Sequence, residues 1–452
     1  MSTVIPELAM PGPTRIPPAP TTLADTGLSP ETIIDLILKT LHVQGARSGV
    51  QITEVLRLPF DVVDEQLLRL QERRFVEVLR TAGPSRAGYV FDLAGEGRAR
   101  ARAALDSGQY VGAAPVPLGV YRKWIGLQSV ADVQIGRERI REGFSHLVMD
   151  QEILEELGPA INSASSLFLH GDPGNGKTVI AEAIAAMLGG DIYIPHAVEI
   201  DGQIMSLFDP VHHEPIVPDD EAAGEYDWLH ASASHDRRFV RIRRPVVFVG
   251  GELMLHQLDL QYDGYTKMYQ APFQLKAAGG VLIIDDFGRQ LVAPRELLNR
   301  WIVPLEKRID FLTLHTGVKF PVPFDCLVIF ATNLDPHELV DEAFLRRIRY
   351  KINVTDPDRA RYDAIFRLEC ERRGIAYDDR AVEFVFQRHY QGRAIAPRAC
   401  HPRDLLDHVE HTARYEGHDP ELTPQILELA CRTYFMIMAH DALDAGEREG
   451  AD

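Results

Sequence analysis

The sequence predicts an α/β fold built on a parallel sheet, with a small winged helix-turn-helix domain before it and an all-helical lid after it. Three stretches carry the α/β prediction. Residues 167–178, LFLHGDPGNGKT, join a short apolar run to a Gly-rich turn, and the helix-forming VIAEAIAAML follows. Residues 281–286, VLIIDD, are four apolar residues ending in two carboxylates. Residues 327–333, LVIFATN, repeat the apolar run with a polar tip. Short uninterrupted apolar runs read as strands covered on both faces, as in parallel sheets.

The first stretch fits G-x-x-x-x-G-K-[ST] at every required position: Gly171, Asp172, Pro173, Gly174, Asn175, Gly176, Lys177, Thr178. The glycines let backbone N–H groups turn inward and approach phosphate oxygens with no Cβ in the way. Lys177 brings a positive charge to the β- and γ-phosphates of ATP, and the Thr178 hydroxyl can ligate Mg²⁺. Gly189-Gly190 stops the following helix, whose N-terminus favours phosphate. In the second stretch, Asp285 stands at the carboxyl end of a buried strand, where it would hold Mg²⁺ through water. Asp286 would polarise the attacking water, and Asn333, at the tip of the third stretch, would orient water against the γ-phosphate.

At 452 residues the chain is long enough for two or three domains. Its net charge of −18 argues against binding nucleic acid or an anionic membrane through the whole surface. The cysteines Cys326, Cys370, Cys400 and Cys431 have no C-x-x-C spacing, which points to a reducing compartment without structural zinc. No run reaches the ~18 apolar residues of a membrane span. The N-terminus lacks a basic region followed by an apolar core. The expected location is the cytoplasm.

Residues 1–26 are Pro-rich and read as a disordered or extended tail. Residues 27–110 read as three helices, a hairpin and a closing helix. Ser29 caps the first, Asp61 caps the third, and FVEVLRT with YVFDL forms the hairpin. This resembles a winged helix, but eleven basic residues meet eleven acidic ones there. The would-be recognition helix begins Asp61, Asp64, Glu65, which suits a polyanion poorly. Protein docking is therefore the favoured role and DNA the alternative, with Arg80 and Arg86 as its best support.

Residues 111–139 read as a linker, 140–355 as the α/β core, 356–440 as a helical lid and 441–452 as an acidic tail. A strand is expected near Ile192. The histidines His212, His213, His230 and His235 fit no metal-ligand spacing and read as loop residues. Arg237, Arg238, Arg241, Arg243 and Arg244 read as a solvated strand edge, or as facing a partner or pore.

From about 140 to 440 the chain resembles an AAA+ ATPase, with motifs in the order phosphate loop, Walker B, sensor 1, arginine finger, sensor 2. AAGGVLIIDD followed by RELLNRWIVPLEKR resembles the helix-2-insert and MoxR-like branch, and the whole chain resembles bacterial chaperone-like ATPases. The resemblance implies Lys177 and Thr178 as the Walker A pair and Asp285 and Asp286 as the Walker B pair. It implies Asn333 as sensor 1, Arg347 or Arg346 as the arginine finger, and Arg403 as sensor 2, in preference to Arg398 because a helix starts after Pro402. It further implies ATP and Mg²⁺ as cofactors, a homo-oligomeric ring, a hexamer foremost, and a protein client. Two departures stand out. The family usually has Glu where Asp286 stands. The separation of Lys177 from Asp285 is also long, pointing to an insertion near 205–275.

Overall fold

The parallel arrangement predicted from the apolar runs is the centre of the protein. In the computed structural model, which describes residues 15–81, 85–216, 235–339, 342–391 and 395–435, five strands form one sheet. They are β1 (Ser166–His170), β2 (Val246–Val249), β3 (Val281–Ile284), β4 (Leu327–Thr332) and β5 (Tyr350–Asn353). Their order is β2-β3-β4-β1-β5, and every pairing is parallel. On one face Leu167, Leu169, Ile283 and Ile329 pack against Ile180 and Ile184 of helix α1 (Lys177–Leu188) and Leu157 of a preceding helix. On the other, Phe168, Ile284 and Phe330 pack against Leu298 and Trp301 of helix α2 (Pro294–Lys307). Coverage on both faces explains why β3 and β4 are buried along their whole length.

The helical lid is present. It comprises α3 (Arg359–Arg373), a helix Asp379–Val385 that runs into a π-turn at Phe386–Tyr390, α4 (His401–Glu416), and a helix over 424–435. Tyr362, Phe366, Val382, Leu405 and Val409 form its own core. The expected continuation to 440 and the tail at 441–452 lie outside the described residues. No helix among the described residues is long and apolar enough to cross a membrane.

The N-terminal domain has the expected helices Pro30–Gln44, Gly49–Leu56, Phe60–Glu72 and Gly95–Ser107 and the hairpin Val76–Arg80 with Val90–Leu93. A two-residue strand, Arg47–Ser48, completes a three-stranded sheet. The Ser29 hydroxyl accepts from the Thr32 N–H, as expected of a cap. Asp61 is not a cap: the third helix starts one residue earlier, at Phe60, after Pro59.

Three further expectations are corrected. The Pro-rich tail is not disordered throughout: Pro17 and Pro20 are buried, and the Pro17 carbonyl accepts from the Asp236 N–H at 2.7 Å. Residues 111–139 are not a linker. Val116–Pro117 pairs in parallel with Ala197–Ile200, and the helix Leu118–Leu127 buries Tyr121 and Ile125 against Ile192, Phe239, Leu312 and Phe320. These segments, the strands Gln203–Ser206, Gln261–Asp263 and Met268–Gln270, and the hairpin Ile309–Thr313 with Lys319–Pro323 make a separate β domain. It is wider than the expected insertion, and it takes the strand near Ile192, which pairs antiparallel with Phe239–Arg243 rather than joining the central sheet.

The arginine run is the third correction. Arg238 is 2% exposed, pairs with Asp236 at 2.8 Å and donates to the Thr26 carbonyl at 2.9 Å and the Pro115 carbonyl at 3.3 Å. Arg241 pairs with Asp191 at 2.6 Å, and Arg244 donates to the Gln128 carbonyl at 3.1 Å. These three side chains tie segments together instead of lining an edge or a pore. Residues 217–234, which include His230, lie outside the described residues.

Arg238→Ala strands the Asp236 carboxylate and two carbonyls in the interior. It is expected to cost about 3–5 kcal/mol, read as a lowered urea midpoint at unchanged slope.

Candidate functional site

After β1 the chain turns through Gly171, Gly174 and Gly176 at φ of 132°, 87° and 83°. A Cβ at Gly171 would lie 2.4 Å from the Val354 carbonyl oxygen, so space and backbone both demand glycine. The turn delivers Lys177 and Thr178 to the start of α1. Lys177 is 6% exposed, and its ammonium donates to the Gly171 and Asp172 carbonyls at 2.9 Å each. Burial pushes its pKa down, against the opposing pull of Asp285, Asp172 and Asp286.

Thr178 Oγ1 donates to Asp285 Oδ2 at 2.8 Å, which brings the first two motifs into direct contact. Asp286 follows in the left-handed region at φ 48°, and Asn333 Nδ2 donates to its Oδ1 at 3.1 Å. Left-handed Asp is tolerated at some cost, and such strain collects at functional sites. Gln290 holds the turn by donating to the carbonyls of Asp285 at 2.9 Å and Asp286 at 3.2 Å. Sequence reasoning missed Gln290, for which no motif spacing speaks. It also missed Glu182, one helical turn beyond Thr178, whose carboxyl is pushed up by burial and then by Asp285. The i, i+4 spacing from Thr178 was the available signal.

The lid closes over the loop. The Arg398 guanidinium pairs with both Asp172 and Asp356. Asn175 Nδ2 donates to Asp356 Oδ1 at 2.7 Å, and Asn175 Oδ1 accepts from the Ala399 N–H at 3.3 Å. The Cys400 N–H donates to the Gly174 carbonyl at 2.9 Å. Arg403 is not at the loop. It is exposed and pairs with its neighbour Asp404 at 2.8 Å. The helix does start at this point, at His401, but its first turn carries Arg403 outward and leaves Arg398 on the loop. Beside Asn175 lies a cleft walled by Val148, Met149, Ile153, Ile180 and Ile365. Its volume of about 40 Å³ leaves room for a few waters, at ~10–15 Å³ each.

Arg346 and Arg347 are not brought together with these groups. They precede β5, which runs parallel to β1 with Tyr350 opposite Leu167, so they sit at the amino ends of the strands, away from the loop. Arg347 Nε donates to Glu306 of α2 at 2.6 Å, and Arg346 is exposed.

Residues 358–433, the lid, match a family described as Domain of unknown function (DUF8689). No curated protein matches the chain. Among solved structures it is similar to NtrX from Brucella abortus in complex with ADP, at 16% identity over 64% of this chain and 56% of that one, with a TM-score of 0.38. It is similar also to the RuvB Holliday junction branch migration motor of Thermotoga maritima, at 16% identity over 67% of this chain and 72% of that one, TM-score 0.32. A MarR family regulator from Neisseria meningitidis is similar over 17% of this chain and 52% of its own, at 24% identity and a TM-score of 0.16. The chain thus spans little more than half the length of NtrX, and scores this low carry no functional argument.

A Cβ at Gly174 would lie 2.6 Å from Cys400 Sγ, at a φ of 87°. With a left-handed cost of about 1–2 kcal/mol, Gly174→Ala is expected to speed hydrogen exchange of the Cys400 amide by roughly tenfold.

Proposed function

We propose that this chain binds Mg²⁺-ATP at the 171–178 loop, hydrolyses it to ADP and phosphate, and works as a homo-oligomeric AAA+ ring, a hexamer foremost, that remodels a protein client. The observation that carries the reading is the contact of Thr178 with Asp285 beneath the buried Lys177, with Asp286 and Asn333 alongside. A hydroxyl and a carboxylate this close suit Mg²⁺, which takes one or two protein oxygens and completes its shell with phosphate and water. Bound there, the ion would neutralise charge building on the transferred phosphoryl group.

The protein's own groups do the rest. Backbone amides of the loop and the N-terminus of α1 cradle phosphate oxygens, and Lys177 exchanges its two carbonyl partners for them. Asp286, held by Asn333, accepts a hydrogen bond from the attacking water and aims it. Arg398 takes the sensor 2 role that the resemblance gave to Arg403. Arg347, with Arg346 beside it, serves a neighbouring copy's site, since its own loop lies at the other end of the sheet. Asp286 is one methylene shorter than glutamate, and that feature favours a second reading, an ATP-binding scaffold with slow turnover.

DNA binding by the winged domain gains no support from Arg86. Its guanidinium donates to Asp64 at 2.8 Å and Gln71 at 2.7 Å, so it is committed to the would-be recognition helix instead of being free for a phosphate. The outward stripe of that helix is Asp61, Glu65, Leu68 and Glu72, which suits a protein partner better than a phosphate backbone.

Steady ATP turnover by the purified chain is expected to vanish in Lys177→Ala and to fall about a hundredfold or more in Asp286→Asn. Arg398→Ala should weaken nucleotide binding while Arg403→Ala leaves it unchanged, as read by isothermal titration. Arg347→Ala should lower turnover by about a thousandfold with affinity retained. Wild-type protein that never binds Mg²⁺-ATP overturns the proposal.

A further inference from the structure

The lid core contains a polar chain that no part of the proposed chemistry uses. Tyr362 Oη lies 3.0 Å from Tyr390 Oη, and Tyr390 Oη lies 2.7 Å from His401 Nδ1. The Arg398 backbone N–H donates to the same nitrogen at 3.2 Å. Tyr362 and His401 are fully buried and Tyr390 nearly so. A row of hydroxyls and an imidazole inside an apolar core is costly unless its groups are matched; among these atoms His401 Nε2 alone is buried without a partner.

From these contacts we infer that Tyr362, Tyr390 and His401 form a strut fixing the 398–400 turn against the phosphate loop, which makes His401 a positioning residue for Arg398. The inference rests on the proposed nucleotide site for its functional consequence, though not for its geometry.

The direction of every bond in the strut follows from one fact. A backbone N–H can only donate, so His401 Nδ1 must accept and its ring proton must sit on Nε2. Tyr390 then donates to Nδ1, and Tyr362 donates to Tyr390. A protonated imidazole would face the Arg398 N–H with a second N–H. Burial, foremost, holds the His401 pKa down to about 4, which keeps the ring neutral. The ring is also stacked on Tyr390, with an interplanar angle of 8°.

Tyr390 reaches this position because the helix widens into the π-turn Phe386–Tyr390, a distortion often found at functional sites. At its other end the strut meets the residues that touch the loop. Arg398 pairs with Asp172, and the Cys400 N–H holds the Gly174 carbonyl. Losing the acceptor at His401 frees the Arg398 amide and lets the turn lift.

Cys400 offers a readout that does not depend on ATP, because it is partly exposed while Cys326, Cys370 and Cys431 are buried. In the full-length protein, His401→Leu removes the acceptor, and His401→Asn restores one near the Nδ1 position. His401→Leu is expected to speed thiol labelling of Cys400 by roughly threefold to tenfold, the size of one ordinary hydrogen bond. It should raise KM for Mg²⁺-ATP by a similar factor, and His401→Asn should return both toward wild type. Tyr390→Phe, which keeps the ring and loses only the hydroxyl, should shift labelling in the same direction and serves should His401→Leu not fold. In an Arg398→Ala background the His401 change should add nothing to KM. Wild-type labelling in both His401→Leu and Tyr390→Phe, or full additivity with Arg398→Ala, overturns the strut. Absent ATP binding in the wild type would remove the proposed function while the labelling still decides the strut.

Discussion

The hydrogen bond from Thr178 to Asp285 spans 107 residues of chain, and it exists only because three strands hold one register. Leu167 of β1 stands opposite Ile329 of β4, and Ile329 stands opposite Ile283 of β3. That row places the end of β3 beside the start of the phosphate loop. A slip of one residue would turn Ile284 and its neighbours to the opposite face and point Asp285 away from Thr178. The apolar burial on both faces therefore does more than stabilise the core. It is what makes the two halves of the site meet.

This explains which parts were legible. VLIIDD and LVIFATN announce themselves because a strand covered twice must be apolar at every position, and the first polar residue marks where it leaves the core. The glycines of the loop were legible for a related reason, since Gly171 has neither room nor backbone freedom for any other residue. The β domain was not legible. Its strands are two to five residues long, come from segments as far apart as Val116 and Pro323, and pair across those gaps. Periodicity needs a longer window than that.

The arginines failed for a complementary reason. A run such as RRFVRIRR looks like surface because isolated guanidinium groups cannot be buried. Asp236 and Asp191 supply the missing partners, and neither sits where a sequence rule would pair it. Arg398 and Arg403 show the same limit at the site. Both stand near a helix start, five residues apart, and spacing alone does not say which faces the loop. The deciding contacts, Asn175 with Ala399 and Gly174 with Cys400, run between the loop and the turn before the helix.

Those contacts also bear on the nucleotide binding proposed above. In the structure every strong positive charge at the loop already has a protein partner. Lys177 is held by two carbonyls, and Arg398 by two carboxylates. On the proposed function, a triphosphate would have to exchange these partners for its own oxygens, and its affinity would be the difference between two sets of bonds. The exchange is asymmetric. The Asp172 side chain is 56% exposed and Asp356 only 29%. A released Asp172 can be solvated at little cost, whereas Asp356 also accepts from Asn175 and gains nothing by letting go. On that proposal the least costly route would keep Arg398 anchored on Asp356 and swing it from Asp172 to phosphate. Which of its two partners Arg398 would give up is thus set by how unequally two carboxylates are exposed to water.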